Sequence, residues 1–243
     1  MLLNCDMGES YGPWEKGDDA AVMPLIDWAN IACGGHAGDP DVMVRTLELA
    51  RDHGVKAGAH PGYPDRRNFG RVRLLGPVDS LVHEVQAQIG ALQALARSLD
   101  VTLHHVKPHG ALYLAMMHDE DLLVRLAEGV SGVDPSLVFV LQATPDRARH
   151  VELLAHTNLD LAFEAFADRR YAGDGRLRAR AEPGAVLHDP DDVERHVRGL
   201  LAGTVDTPDG PLAVEADTLC VHGDNPVAVA SLERIRGLIP RDA

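Results

Sequence analysis

Residues 29–59 read ANIACGGHAGDPDVMVRTLELARDHGVKAGA, and the way this stretch divides decides the fold. The run Ala29 to Cys33 is strand-like, a glycine-rich turn carries His36, and Asp39-Pro40 opens a segment of helical period that closes at Gly54. Val55 to Ala59 is a second strand-like run. Asp39 suits a helix start because its carboxylate accepts from orphan amides of the first turn, and proline at the first helical position has no amide to leave unpaired. Strand, helix and strand in this order make a βαβ unit with parallel strands.

Outward from this unit the alternation continues. Further strand-like runs fall at about Leu2 to Cys5, Leu103 to Lys107, Leu137 to Leu141, Leu159 to Phe163 and Thr218 to Val221, which brings the count to seven. Thr144-Pro145, Asp189-Pro190 and Asn225-Pro226 repeat the helix-start signal. Between Asp79 and Leu99, the residues Leu81, Val85, Ile89, Leu92, Leu95 and Leu99 recur at three and four, as a helix packed on a sheet requires. With 243 residues and no repeat or linker, the chain reads as one α/β barrel domain, residues 1–243. At 45% hydrophobic and 25% charged, the composition excludes disorder, collagen and coiled coil.

A formal net charge of −14 repels a phosphate backbone, so general nucleic-acid binding is excluded. No apolar run approaches the roughly 18 residues of a membrane helix, and Met1 to Glu9 has no signal-like core; the expected location is cytoplasmic. Cys5, Cys33 and Cys220 lack zinc or disulfide spacing and read as small buried hydrophobes. Two long loops, about Gly62 to Pro77 and Ala167 to Pro183, hold nine of the 23 basic residues, all arginine. They read either as solvated loops or as recognition of carboxylate or phosphate, which the guanidinium fork matches.

Four of the 13 histidines share one context, past a strand-like run and beside Gly or Pro: His36, His60 in GAHPGYPD, His109 in VKPHGALY and His222 in CVHGDNP. In a parallel barrel all strands end on one face, so these four imidazoles are expected to converge. His53, His83, His150 and His196 read as solvated helix residues. LNCDMGE adds Asn4, Asp6 and Glu9, the first two on one strand face. Lys107 is one of three lysines, EAFADRRY supplies Glu164, Asp168, Arg169 and Tyr171, and Asp224 follows His222. Two chemistries fit the set: a metal hydrolase, in which a divalent ion activates water, and metal-free acid–base work on an amide or lactam.

The ordered strings LNCDMGE, NIACGGHAGDP, GAHPGYPD, VKPHGALY, FADRRY with DGRL, and CVHGDNP resemble the LamB/YcsF family over nearly the whole chain. The resemblance implies an irregular seven-stranded β/α barrel of the glycoside hydrolase/deacetylase type. It also implies the A subunit of an ATP-dependent 5-oxoprolinase, which opens 5-oxo-L-proline to L-glutamate together with subunits B and C. Carried over position by position, it implies catalytic Asp6, His60, Lys107 and His109. As substrate-binding positions it implies Asn4, Glu9, His36, Asp39, Asp168, Arg169, Tyr171, Arg180, His222 and Asp224. Any divalent metal is expected at Asp6, His60 and His109. ATP is expected on the partner subunits, because the chain lacks a GxxxxGK[ST] loop. Asp6 is the expected base toward water, and the alternatives are a stand-alone metal-dependent deacetylase or amidase and a non-catalytic binding subunit. Leu2 stands where the family has aspartate, Gly35 where it has an aromatic residue, and Leu114 where it has asparagine.

Overall fold

Seven parallel strands close into a barrel in the computed structural model, which describes residues 1–180, 182–222 and 229–239. In chain order they are β1 (Leu2–Met7), β2 (Trp28–Ala32), β3 (Lys56–His60), β4 (His105–Val106), β5 (Val138–Gln142), β6 (Asp160–Phe166) and, after a two-stranded hairpin of β7 (Thr204–Thr207) and β8 (Gly210–Ala213), β9 (Thr218–Val221). Closure comes from β9, which pairs with β1 through Leu2 and Thr218 and with β6 through Glu164 and Thr218. All seven expected barrel strands are present within a few residues of their expected ends. The hairpin was not expected.

Eight α-helices are seen among the described residues: α1 (Asp19–Val22), α2 (Pro40–Asp52), α3 (Val78–Ser98), α4 (Gly110–His118), α5 (Glu120–Val133), α6 (Arg147–Leu154), α7 (Pro190–Leu201) and α8 (Leu232–Leu238). The Asp39 cap accepts from the amides of Asp41 and Val42, and Asp189 does the same for Asp191 and Asp192. Each such cap stabilises its helix by about 1 kcal/mol. Thr144-Pro145 does not begin a helix: Thr144 accepts from the Asp146 amide in a turn, and α6 starts at Arg147. The Asn225-Pro226 start lies outside the described residues. On α3 the fully buried face is Val82, Val85, Gln88, Ile89, Leu92 and Ala96, with Leu81, Leu95 and Leu99 at its partly buried edge. Burying each large aliphatic side chain contributes roughly 1.5–3 kcal/mol. Among the described residues no helix is long and apolar enough to cross a membrane.

The barrel lumen is layered. Trp28, Val140 and Ala162, with Leu2 and Val138, form an apolar plug at the N-terminal end of the strands. Above it, polar side chains from alternate positions turn inward, and Gly58 makes room for one of them: a Cβ there would lie 2.3 Å from the His105 ring. Leu2 therefore sits in the plug, at the end of the barrel away from the polar layers, and its departure from the family pattern leaves the site untouched. Gly35 is compensated by Gln88, whose amide fills the space a side chain there would take and clasps Gly62 through both its nitrogen and its oxygen.

Candidate active site

Inside the barrel a single hydrogen-bonded column climbs from the plug to the mouth. His105 stacks on Trp28 and donates from Nε2 to Asn30 Oδ1 at 2.8 Å. Asn30 Nδ2 donates to Asn4 Oδ1 at 2.8 Å and to Asp6 Oδ1 at 2.9 Å, and Asn4 Nδ2 donates to Thr218 Oγ1 at 3.0 Å. These groups are buried, so each depends on its partners. Lys107 Nζ crowns the column, 2.7 Å from Asp6 Oδ1, 3.0 Å from Cys220 Sγ and 3.4 Å from Glu164 Oε2.

The two carboxylates beside this ammonium are driven apart. Burial alone would raise Asp6, but the charges of His60 and Lys107 outweigh it and hold its carboxyl well below the usual range. Glu164 is raised, because burial dominates over the more distant Lys107. Burial opposes the charge on Lys107, and Asp6, Cys220 and Glu164 together overcome it and raise the ammonium. Asp6 thus carries the negative charge of the site while Glu164 holds a proton more readily, a separation typical of acid–base centres.

Three imidazoles stand at the mouth. His60 Nδ1 donates to the Lys107 carbonyl at 2.6 Å, and His109 Nε2 donates to the Phe69 carbonyl at 3.0 Å. Their remaining nitrogens, His60 Nε2 and His109 Nδ1, meet at 2.9 Å. Carbonyls only accept, so both outer nitrogens carry protons, and a neutral pair would face two lone pairs across that gap. One added proton is therefore shared between the rings, giving the couple a single positive charge. Asp6 Oδ2 lies 3.4 Å from His60 Nε2 and balances it. His36 stacks on His109 at 3.6 Å, with neither ring nitrogen hydrogen-bonded. Burial, then the charge of His60, pushes His36 down, and burial, then His36 and His60, does the same to His109. Gly70, at φ +62°, is obligatory beside them, since a Cβ would sit 2.7 Å from His36 Cβ.

Above these groups opens a pocket of about 370 Å³, lined by Asp6, His60, Lys107, His109, Phe166 and His222 and rimmed by Arg71, Arg169 and Arg180. His222 Nδ1 donates to buried Asp168 at 2.7 Å. Arg169 is buried, donates to the Arg178 carbonyl at 2.5 Å, and is pushed down to about 10 by burial and by the charge of Arg180. A larger hollow of about 480 Å³ lies at the plug end, around Trp28, Asp27 and Lys56; Asp27 is bound there to Arg236, and none of the convergent groups reaches it.

The four strand-end histidines do converge, and the expected catalytic residues Asp6, His60, Lys107 and His109 all line the pocket, with Arg169, Arg180 and His222. Asn4, Glu9, His36 and Asp168 lie in the layers supporting it. Tyr171 is buried and its hydroxyl accepts from the Phe166 amide. Asp39 faces elsewhere: one oxygen caps α2 and the other accepts from the Gly12 amide at 2.6 Å. Asp224 lies outside the described residues. His150 is buried and His196 donates to the Phe166 carbonyl, so neither is a solvated helix residue. Cys220 is more than a small hydrophobe, since it accepts from Lys107. Sequence reasoning missed Asn30 and His105, which are polar residues at inward positions of otherwise apolar strands, whereas Arg71 belongs to the first of the two arginine loops it weighed for carboxylate or phosphate recognition.

Glu9, His36, His60 and His109 each offer one ligand atom within 4.8 Å of the others, a donor set of the kind that could hold a metal ion.

A closed parallel barrel with a buried carboxylate, ammonium and imidazole network at the C-terminal ends of its strands defines a β/α-barrel protein with an acid–base centre at its mouth. The chain belongs to the LamB/YcsF family, whose sequence model matches residues 1–242. It is 46% identical over 241 residues to the third 5-oxoprolinase A subunit of Pseudomonas aeruginosa, covering 98% of this chain and 96% of the relative. It is 48% identical over 236 residues to the 5-oxoprolinase A subunit of Syntrophobacter fumaroxidans, covering 96% and 92%. The crystal structure of the lactam utilization protein from Thermus thermophilus superposes with a TM-score of 0.88 at 38% identity, covering 98% of this chain and 96% of that one.

Proposed function

We propose that this chain is the A subunit of an ATP-dependent 5-oxoprolinase, a hydrolase acting on a cyclic amide, and that it opens 5-oxo-L-proline to L-glutamate. Subunits B and C are its partners in this reading, ATP goes to ADP and phosphate, and the location is cytoplasmic. The observation that carries it is the Asp6–Lys107 pair beside the proton-sharing His60–His109 couple, on the floor of an arginine-rimmed pocket.

A lactam amide is stabilised by resonance and resists water. Transfer of a phosphoryl group to its oxygen activates the ring carbon, and in this reading the partners perform that step, since this chain has no GxxxxGK[ST] loop. Arg71, Arg169 and Arg180 hold the carboxylate and phosphoryl oxygens of the activated ring. Water adds to the ring carbon and gives its proton to the Asp6 oxygen not bonded to Lys107. Asp6 is a weak base, but so activated a carbon asks little of it. The resulting tetrahedral centre has two exits: loss of phosphate returns the lactam, whereas loss of nitrogen opens the ring. Nitrogen departs only when protonated, and the His60–His109 couple supplies that proton. A second water then hydrolyses the acyl phosphate to glutamate and phosphate.

Two donor sets have the spacing for a divalent metal, but neither fits one with its side chains as arranged: in the set Asp6, Cys220 and His222 the Lys107 ammonium already sits on both Asp6 and Cys220. The planes of His36 and His109 are parallel, 3° apart at 3.6 Å, so one ion cannot lie in both ring planes. The set Asp6, His60 and His109 has the Lys107 ammonium hydrogen-bonded to its carboxylate, which opposes a second cation. This arrangement favours the metal-free reading over a stand-alone metal-dependent deacetylase or amidase.

The test is reconstitution with B and C on 5-oxo-L-proline and ATP. Wild type releases glutamate and phosphate in equal amounts, and Asp6→Asn and His109→Ala lose ring opening; near-normal opening in both variants rejects the reading.

A further inference from the structure

His222 lines the pocket wall, backed by buried Asp168, and takes no part in ring opening. His222 follows β9 and Asp168 follows β6, neighbouring strands whose ends are tied where the Ala167 amide donates to the Cys220 carbonyl at 2.9 Å. The Leu187 amide holds the Asp168 carbonyl at 2.9 Å, and the Phe166 ring lies against His222 with centroids 5.5 Å apart. Both side chains are therefore held in place from behind. Asp168 accepts from His222 Nδ1 at 2.7 Å. A carboxylate only accepts, so Nδ1 carries the ring proton and Nε2 presents its lone pair. Among the described residues Nε2 has no hydrogen-bond partner. An imidazole at the pocket, oriented by a third group, is the arrangement that general-base catalysis requires.

The pair faces the His60–His109 couple. Around the closed barrel β9 is three strands from β3 in one direction and three from β4 in the other, so His222 lies across the mouth from His60 and His109. Arg169 and Arg180 rim the pocket with His222, and Arg169 is next in the chain to Asp168. The phosphoryl end of the substrate, gripped by these arginines, is thus on the side of the pair, and the departing amine is on the side of the couple. When the ring has opened, the proton on Asp6 passes to the emptied couple across the 3.4 Å contact and recharges it. A recharged couple cannot accept another proton, and Asp6, held well below the usual carboxyl range, is a poor base for the water that must still arrive.

We propose that His222, positioned by Asp168, is the general base of the second half of the reaction. The inference rests on the functional reading above. The second water bonds through its oxygen to the carbonyl carbon of the acyl phosphate while its proton moves to His222 Nε2. The bond from carbon to the phosphate oxygen breaks, its electron pair leaves with phosphate, and the imidazolium returns its proton to that phosphate. Asp168 touches no substrate; it fixes the tautomer that leaves Nε2 able to accept.

The experiment runs the complex with B and C on 5-oxo-L-proline and ATP, with and without hydroxylamine, a nucleophile that captures an acyl phosphate as its hydroxamate without a base. Wild type gives glutamate and little hydroxamate. His222→Gln and Asp168→Asn are expected to lower glutamate formation by about 10²-fold or more, and to raise the ratio of hydroxamate to glutamate by a similar factor. That ratio does not depend on how much of each variant folds, so a merely structural role leaves it unmoved. Both products falling together at the wild-type ratio places the pair at or before ring opening and overturns the proposal. A wild-type ratio and rate in either variant does the same. Both results leave the functional reading intact, because wild type still turns over; a wild type that makes no glutamate overturns that reading itself.

Discussion

His109 Nδ1 and His60 Nε2 share one proton across 2.9 Å, with Asp6 Oδ2 3.4 Å from the His60 side. Because this proton decides which bond of the tetrahedral centre breaks, His109→Ala should do more than slow the enzyme. Glutamate formation should fall by about 10²–10⁴. ATP consumption should fall less, so phosphate outruns glutamate. Measuring both products in one reaction checks this, and equal yields at the lower rate would remove the couple from the partition.

Acid should unfold the protein early. His36 and His105 are buried and held well below the ordinary histidine value, mainly by burial. Below about 6.5 the unfolded chain therefore binds more protons than the folded one, and stability falls as pH falls. Above that value the contribution is fully present. Two such groups give a slope of up to about 3 kcal/mol per pH unit, and Glu164, raised, opposes it by at most one proton. Asp6, lowered, adds its loss only below the ordinary aspartate value. Urea midpoints between pH 7.5 and 5 should fall steeply, and His36→Phe should remove about one proton from the slope. A flat profile contradicts the neutral, buried rings.

Arg169 rims the pocket from a buried position. Removing one charge-assisted contact to an anion costs roughly 1.5–3 kcal/mol, so Arg169→Ala should raise KM about 10–100-fold. Steady-state kinetics with varied 5-oxo-L-proline read this directly. An effect confined to kcat would place the guanidinium away from the ground-state ligand.

Protein purified without chelator should carry zinc, manganese and nickel well below one ion per chain. Elemental analysis decides it, and a stoichiometric ion that disappears in His36→Ala would show that the stacked rings rearrange to bind it.

The barrel was legible because its strands are short apolar runs bounded by glycine, proline and capping residues, and β1, β2 and β9 match that reading most directly. Thr144-Pro145 misled because a turn satisfies the threonine locally before α6 begins. The β7–β8 hairpin escaped because Thr204 to Ala213 lacks a clean apolar alternation. At the site, strand-end histidines announced themselves by position. Asn30 and His105 did not, since whether a polar side chain faces lumen or helix depends on strand register, which only the closed sheet fixes. Asp39 looked like a site residue by its motif, yet the amides of Gly12, Asp41 and Val42 occupy its oxygens.

The apolar plug of Trp28, Val140 and Ala162 gives the reaction chamber a floor without a drain. Reagents and products share one doorway, so the arrival of the activated ring and the departure of glutamate must alternate in time.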